Sequence, residues 1–161
     1  NVNNVQNNVT INILPFGQEV PLSVEEVKPL MRIPSESVPR YIEMKHFRRP
    51  ETANIRIPNK RGRTIQVVEE DRNGKRRRWV DKDRKELLSK LTDTSLDELL
   101  EHYNAGNDVM WNQWFQTSRL NDEGYDKTET FREIVRKVEN VITSQRAQNV
   151  LCVDEESEDD S

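Results

Sequence analysis

Thr64-Ile-Gln-Val-Val-Glu-Glu-Asp-Arg-Asn-Gly-Lys-Arg-Arg-Arg-Trp-Val80 reads as two strands around a turn. In the first strand, Thr64–Glu69, Ile65 and Val67 fall on one face, the period-2 signature of a half-buried strand. Asn73-Gly74 is the favoured pair for a two-residue type I′ hairpin, whose central positions both take positive φ. The second strand, Lys75–Val80, carries Trp79 as its expected inward anchor. Upstream, Asn54-Ile-Arg-Ile-Pro58 predicts a short strand with Ile55 and Ile57 on one face. Pro58 ends that strand or marks an edge, and Asn59-Lys-Arg-Gly62 reads as a turn. Val9–Leu14 also alternates, with Val9, Ile11 and Ile13 on one face, until Pro15 and Gly17 stop it. These runs define a small antiparallel sheet.

The flanking sequence is helical. Ser23-x-x-Glu26 is a capping-box pattern, and Pro29 and Pro34 limit the helix it opens to about two turns. A second helix is expected over Ser37–Phe47, with Pro39 in its first turn. Asp81 is placed as the cap of a helix holding Leu87, Leu88 and Leu91. Ser95-x-x-Glu98 opens another, stopped at Asn104-Ala-Gly106. Thr128 opens the last, with Phe131, Ile134, Val135, Val138, Val141 and Ile142 on one stripe. The fold class is therefore α+β: a small antiparallel sheet with a basic hairpin, packed by helices, plus a helical C-terminal extension. The expected organisation is an Asn-rich linker end over 1–8, an α+β domain over 9–103, a helical extension over 104–146 and a disordered acidic tail over 147–161.

The composition is polar. Of 161 residues, 33% are apolar and 34% charged, against about 45–50% and about 25% in an ordinary globular domain. The core is therefore expected to be modest. No apolar run approaches the ~20 residues of a membrane span, and no membrane partner is expected. The net charge of −4 hides a division into blocks. Residues 40–90 hold 17 basic against 8 acidic side chains, and residues 91–161 hold 6 against 17. A local field of this kind can steer a polyanion whatever the total charge. With no initial methionine, the chain is expected to be part of a longer one.

The candidate polyanion-binding residues are Lys60, Arg61 and Arg63 at one turn and Lys75, Arg76, Arg77 and Arg78 at the other. Turn-borne cations on a ribbon reach phosphates; the competing reading is a charged edge that blocks strand-to-strand aggregation. Trp111, Trp114 and Phe115 form an aromatic cluster suited to an interface. Because the segment to Tyr103 reads as complete, the Phe131, Val135, Val138 and Ile142 stripe is expected to join it in self-association, by default as a dimer. Two histidines and one cysteine cannot form a zinc site, so no metal and no cofactor are expected in this chain. His46, at a helix end, is expected to bond a carbonyl. Cys152, beside carboxylates, is a poor nucleophile. Glu69-Glu70-Asp71 with Lys75 is a weak echo of a metal-dependent nuclease centre. Enzymatic activity is not expected.

Ile11-Asn-Ile-Leu-Pro-Phe-Gly-Gln-Glu19, Tyr41-Ile-Glu-Met-Lys-His-Phe47, Pro50-Glu51, Asn54-Ile-Arg-Ile-Pro-Asn59, Trp79 and a leucine-rich helix follow one another in that order. This succession resembles the C-terminal domain of C2H2-type zinc-finger-containing proteins of nucleocytoplasmic large DNA viruses, over roughly residues 5–103. Arg48 stands where the family tends to have Asn, and this chain carries no finger, so no metal site is carried over. The resemblance implies a viral, DNA-associated context in an infected host cell, in its cytoplasm, nucleus or virion. Together with the basic hairpin, it leads to the expectation of a non-enzymatic accessory module for DNA binding or nucleoprotein assembly. The alternative is a protein–protein or virion structural module whose hairpin meets an acidic protein surface.

Overall fold

The computed structural model describes residues 13–102, 113 and 128–145. Its helices are α1 (Val24–Val27), α2 (Pro34–Phe47), α3 (Arg84–His102) and α4 (Glu129–Ser144). The strands β1 (Ile55–Arg56), β2 (Thr64–Glu70) and β3 (Arg77–Asp83) form an antiparallel sheet in that spatial order. Single 3₁₀ turns follow α1 at Lys28–Arg32 and α2 at Pro50–Thr52. The α+β class stands. No helix among the described residues is long and apolar enough to cross a membrane. The expected strand at Val9–Leu14 lies mostly outside the described residues, and Ile13 and Leu14 are not in a strand.

One face of the sheet meets the helices. Ile55, Ile65 and Val67 pack with Val38, Tyr41 and Ile42 of α2 and Leu88, Leu91, Leu96 and Leu99 of α3. The opposite face carries a smaller cluster of Ile13, Val68 and the partly buried Trp79. Strand register explains the division. Val68 stands opposite Trp79, and Val67 opposite Val80, so Trp79 shares the face of Val68. Trp79 is thus not the anchor of the main core. Arg56 covers its ring at 4.1 Å instead.

The local rules succeed and fail for identifiable reasons. Ser23 caps α1 with the reciprocal Glu26 bond in place. α2 begins earlier than expected, at Pro34, because Ile33 before it is extended (φ −121°) and a first-turn proline has no helical hydrogen bond to lose. Pro39 therefore lies inside the helix and offers no N–H to the Ser35 carbonyl. Lys137 of α4 donates to that oxygen at 3.5 Å. α3 is one continuous helix, capped by Asp83, whose Oδ2 accepts from Glu86 N at 3.0 Å. Asp81 is in the sheet and Ser95 is a buried interior residue, since nothing between Leu91 and Leu99 breaks the helix. The hairpin tip is not type I′: Gly74 has φ +67° and no non-glycine residue has positive φ.

Thr128 caps α4, its Oγ1 accepting from Phe131 N at 3.0 Å. Phe131, Ile134, Val138 and Ile142 are buried in the main core, with Val135 packed partly against it. The stripe expected to drive self-association is thus covered by the chain's own helices. The domain is not complete at Tyr103, because α4 supplies part of its core. Trp111, Trp114 and Phe115 lie outside the described residues. Phe131→Ala should cost about 3–5 kcal/mol in urea denaturation, as for other large-to-small changes in a closed core. Arg136→Ala, on the exposed side of the same helix, should stay within about 0.5 kcal/mol.

Candidate nucleic-acid interface

The site is built on a polar node that fixes the sheet. Asn54 is fully buried. Its Nδ2 donates to Glu19 Oε2 at 2.5 Å and to Leu14 O at 3.1 Å. Its Oδ1 lies 2.9 Å from His46 Nδ1. With both amide hydrogens committed, that oxygen must accept, so His46 carries its proton on Nδ1. His46 thus bonds a side-chain carbonyl rather than capping its helix. Glu19 Oε1 accepts from Gly17 N at 2.8 Å, where φ is +93°, and Phe16 stacks on the imidazole at 5.7 Å between centroids. Burial pushes the His46 pKa down to about 4, with Lys45 adding to the shift against the pull of Asn54 and Glu98.

A second node ties α2 to α3. Lys45 Nζ donates to the Glu98 carboxylate at 2.8 and 3.1 Å, and the Tyr41 hydroxyl donates to the same Oε1. Burial, then Glu98, raises the Tyr41 pKa. Glu98 is therefore an interior acceptor rather than half of a capping box.

The ribbon places the two basic turns at opposite ends of β2. Seven residues at ~3.3 Å each separate them by about 20 Å. At one end, Asn59 Oδ1 accepts from Arg61 N at 3.0 Å, and Gly62 N donates to Asn59 O at 2.9 Å. Arg84 holds this turn from outside. Its Nη1 donates to Lys60 O at 2.8 Å and Gly62 O at 3.1 Å, its N to Arg63 O at 2.9 Å, and its Nε to Glu139 at 3.0 Å. The side chains of Lys60, Arg61 and Arg63 are exposed, and no carboxylate pairs with them among the described residues. The backbone is thus fixed while the cations are presented to solvent.

At the other end, Asp71 organises the tip. Its Oδ1 accepts from Asn73 N and Lys75 N, each at 3.1 Å. These amides, Lys75 first, hold its carboxyl below the usual range. Lys75, Arg76 and Arg78 are exposed. Arg77 is half-buried and engaged: Nη1 donates to Ile13 O at 2.6 Å and Nη2 pairs with Glu70 at 3.4 Å. Arg77 is a structural clamp on the N-terminal segment. Sequence spacing finds both clusters, but it misses Arg84, which reads only as the start of a helix.

The candidate nuclease triad does not assemble. Glu69 pairs with Lys82 at 2.7 Å on one face, Glu70 pairs with Arg77 on the other, and Asp71 is spent on the turn. Among the described residues, no group of three His, Cys, Asp or Glu is placed to hold a metal ion. A groove of about 850 Å³ beside α2 is lined by Glu26, Leu30, Arg40, Glu43, Met44, Arg48 and Arg49. Its arginines face Glu36, Glu43 and Glu26, which leaves it without a net cationic character. No family model, no curated protein and no solved structure matches the chain.

The buried imidazole makes stability depend on pH. The folded pKa near 4 lies below the ordinary value of about 6.5. Between the two, the unfolded chain binds a proton that the folded chain refuses, so stability is full above pH 6.5 and falls towards pH 4. Urea denaturation should show a loss of about 2 kcal/mol between pH 6.5 and 5. His46→Gln should flatten that slope whatever its own effect at pH 7.

Proposed function

We propose that this chain is a non-enzymatic module that binds DNA through phosphate contacts made by the cationic turns of the β2–β3 ribbon. The carrying observation is the turn at residues 59–63, where Arg84 fixes the backbone and Lys60, Arg61 and Arg63 project without acidic partners among the described residues. A backbone already fixed lowers the ordering cost of meeting a phosphate to that of the side chains. Lys75, Arg76 and Arg78 form a second contact point about 20 Å away along the ribbon, so one duplex would be touched at two places. No base-reading array accompanies them, which fits sequence-independent binding. The resemblance noted above supports a nucleoprotein or virion assembly of a large DNA virus as the setting.

One observation favours a second reading, an acidic protein surface. Glu69, Glu70, Asp71, Asp81 and Asp83 lie between the two clusters on the same ribbon. A mixed-charge protein surface accommodates such carboxylates more easily than a phosphate backbone does.

Fluorescence anisotropy with a short duplex across a salt series tests the proposal. Binding should weaken with a negative log–log slope of about 0.9 per phosphate contacted. Lys60→Glu with Arg61→Glu and Arg63→Glu should weaken it and reduce the slope by several units. Arg76→Glu with Arg78→Glu should act independently and add to that effect. No duplex binding at low salt, together with binding to polyglutamate, would favour the protein-surface reading instead.

A further inference from the structure

Strand β3 ends the sheet, and its outer edge carries unused backbone groups. The hydrogen bonds Asp71 N to Arg76 O and Arg84 N to Arg63 O bracket the β2–β3 ladder. Alternation from either end makes Glu69/Arg78, Val67/Val80 and Ile65/Lys82 the bonded pairs. Val68 N donating to Asn54 O on the β1 side fits the same alternation. The N–H and C=O groups of Arg77, Trp79, Asp81 and Asp83 therefore point away from β2. Among the described residues nothing bonds those of Arg77, Trp79 and Asp81, whereas Asp83 O accepts the first helical bond of α3. The strand contains no proline or glycine, so the usual backbone devices that blunt an edge are missing.

The side chains of those same residues decide what can pair there. Arg77, Trp79, Asp81 and Asp83 share one face, cationic at the start of the strand and acidic at its end. We propose that β3 pairs edge to edge, antiparallel, with β3 of a second copy of this chain, in the register that sets Trp79 opposite Trp79. In this register Arg77 stands opposite Asp81 and Lys75 opposite Asp83, each twice by symmetry, around a central aromatic pair. Arg77 also holds Ile13 O and Glu70, and Asp81 also accepts from Gln66 Nε2 at 2.9 Å. Opposite charges and aromatic pairs across strands are the stabilising combinations. Shifting by one pleat repeat in one direction leaves Trp79 facing Asp81 and keeps only the Arg77–Asp83 match. Shifting in the other sets Arg77 against Trp79 and keeps only a Lys75–Asp81 match. A slide of two repeats sets Asp81 against Asp81 or Arg77 against Arg77. On the other face, Arg76 would stand opposite Lys82, whose charge Glu69 already balances at 2.7 Å. The charge pattern is thus self-complementary in one register, which distinguishes it from a merely repulsive edge.

The pairing also bears on DNA binding, and this consequence rests on the function proposed above. An antiparallel partner brings its hairpin tip beside the Lys60–Arg63 turn of the first copy. With strands ~4.8 Å apart, the two basic clusters that one copy holds at opposite ends would become neighbours at each end of the pair.

Light scattering of the full chain at high micromolar concentration, without nucleic acid, tests the pairing separately from DNA binding, which anisotropy reads. A dimer is expected. Asp81→Lys should weaken it by about ten-fold or more, and Arg77→Glu combined with Asp81→Lys should restore it by exchanging the paired charges. Should those variants fail to fold, Trp79→Cys in a Cys152→Ser background gives an independent reading. Opposed residues of a bonded pair lie about 5.5 Å apart at Cα, within disulfide reach, so mild oxidation should yield a covalent dimer. Arg78→Cys, facing Val80 in this register, should not crosslink. A monomeric unmodified chain, a dimer indifferent to Asp81→Lys, or a position-79 cysteine that does not crosslink would each overturn the proposal.

Discussion

The N-terminal segment, the end of α2, the turn at Pro50–Thr52 and strand β2 are all tied to the side chain or backbone of Asn54. Its amide joins the Leu14–Glu19 segment to the end of α2, while its backbone N–H bonds Thr52 O and its backbone carbonyl accepts from Val68 of β2. A fully buried amide is tolerable only when each group is satisfied, because each missing partner costs about 1–3 kcal/mol. The bonds therefore stand or fall together. Where the chain passes Asn54, the N-terminal segment, α2 and the sheet are placed at once, and the ribbon's two ends are placed with them. Phe16, Gly17, Glu19, His46 and Asn54, far apart in the sequence, meet at this point. Their chemistry is that of a structural lock: the imidazole is sealed, with burial disfavouring its charged form, and each oxygen of the carboxylate holds one donor.

Much of the sheet was legible because alternation is a strong signal. Ile55, Ile65 and Val67 face the helices as their spacing requires. Trp79 was misplaced although the hairpin register could be read: a turn centred on Asn73-Gly74 already sets Trp79 opposite Val68, off the face of Ile65 and Val67. Residues 71–76 form a longer tip than a two-residue turn, and β3 runs from Arg77 to Asp83. Two failures share a cause. Ser95-x-x-Glu98 resembles a capping box, but the same i, i+3 spacing also occurs inside a helix. Pro39 resembles a first-turn proline, but Lys137 from α4 compensates the carbonyl it leaves free. In each case the helix starts earlier than the local pattern indicates, at Arg84 and at Pro34. The stripe from Phe131 to Ile142 was equally plain, yet an apolar face says that it must be covered and not by what.

The site was legible as composition and only partly as geometry. Seven cations near two turns were evident, but not their separation along β2. Nor was it evident that Arg77 is consumed by Glu70 and Ile13 O. The residue that makes the 59–63 turn a rigid platform, Arg84, lies 21 positions beyond Arg63 in the sequence. Its three-way engagement with the turn and with Glu139 also links the platform to α4. The helix that completes the core thereby supports the surface proposed to meet phosphate.

The account stands most directly on the coupling between His46 and Asn54. A double-mutant cycle with His46→Ala and Asn54→Ala, followed by urea denaturation at pH 7, measures it. A lock in which the two side chains act as a unit predicts a coupling energy of about 1–3 kcal/mol. Coupling within about 0.3 kcal/mol of zero, with the two losses simply adding, would contradict it.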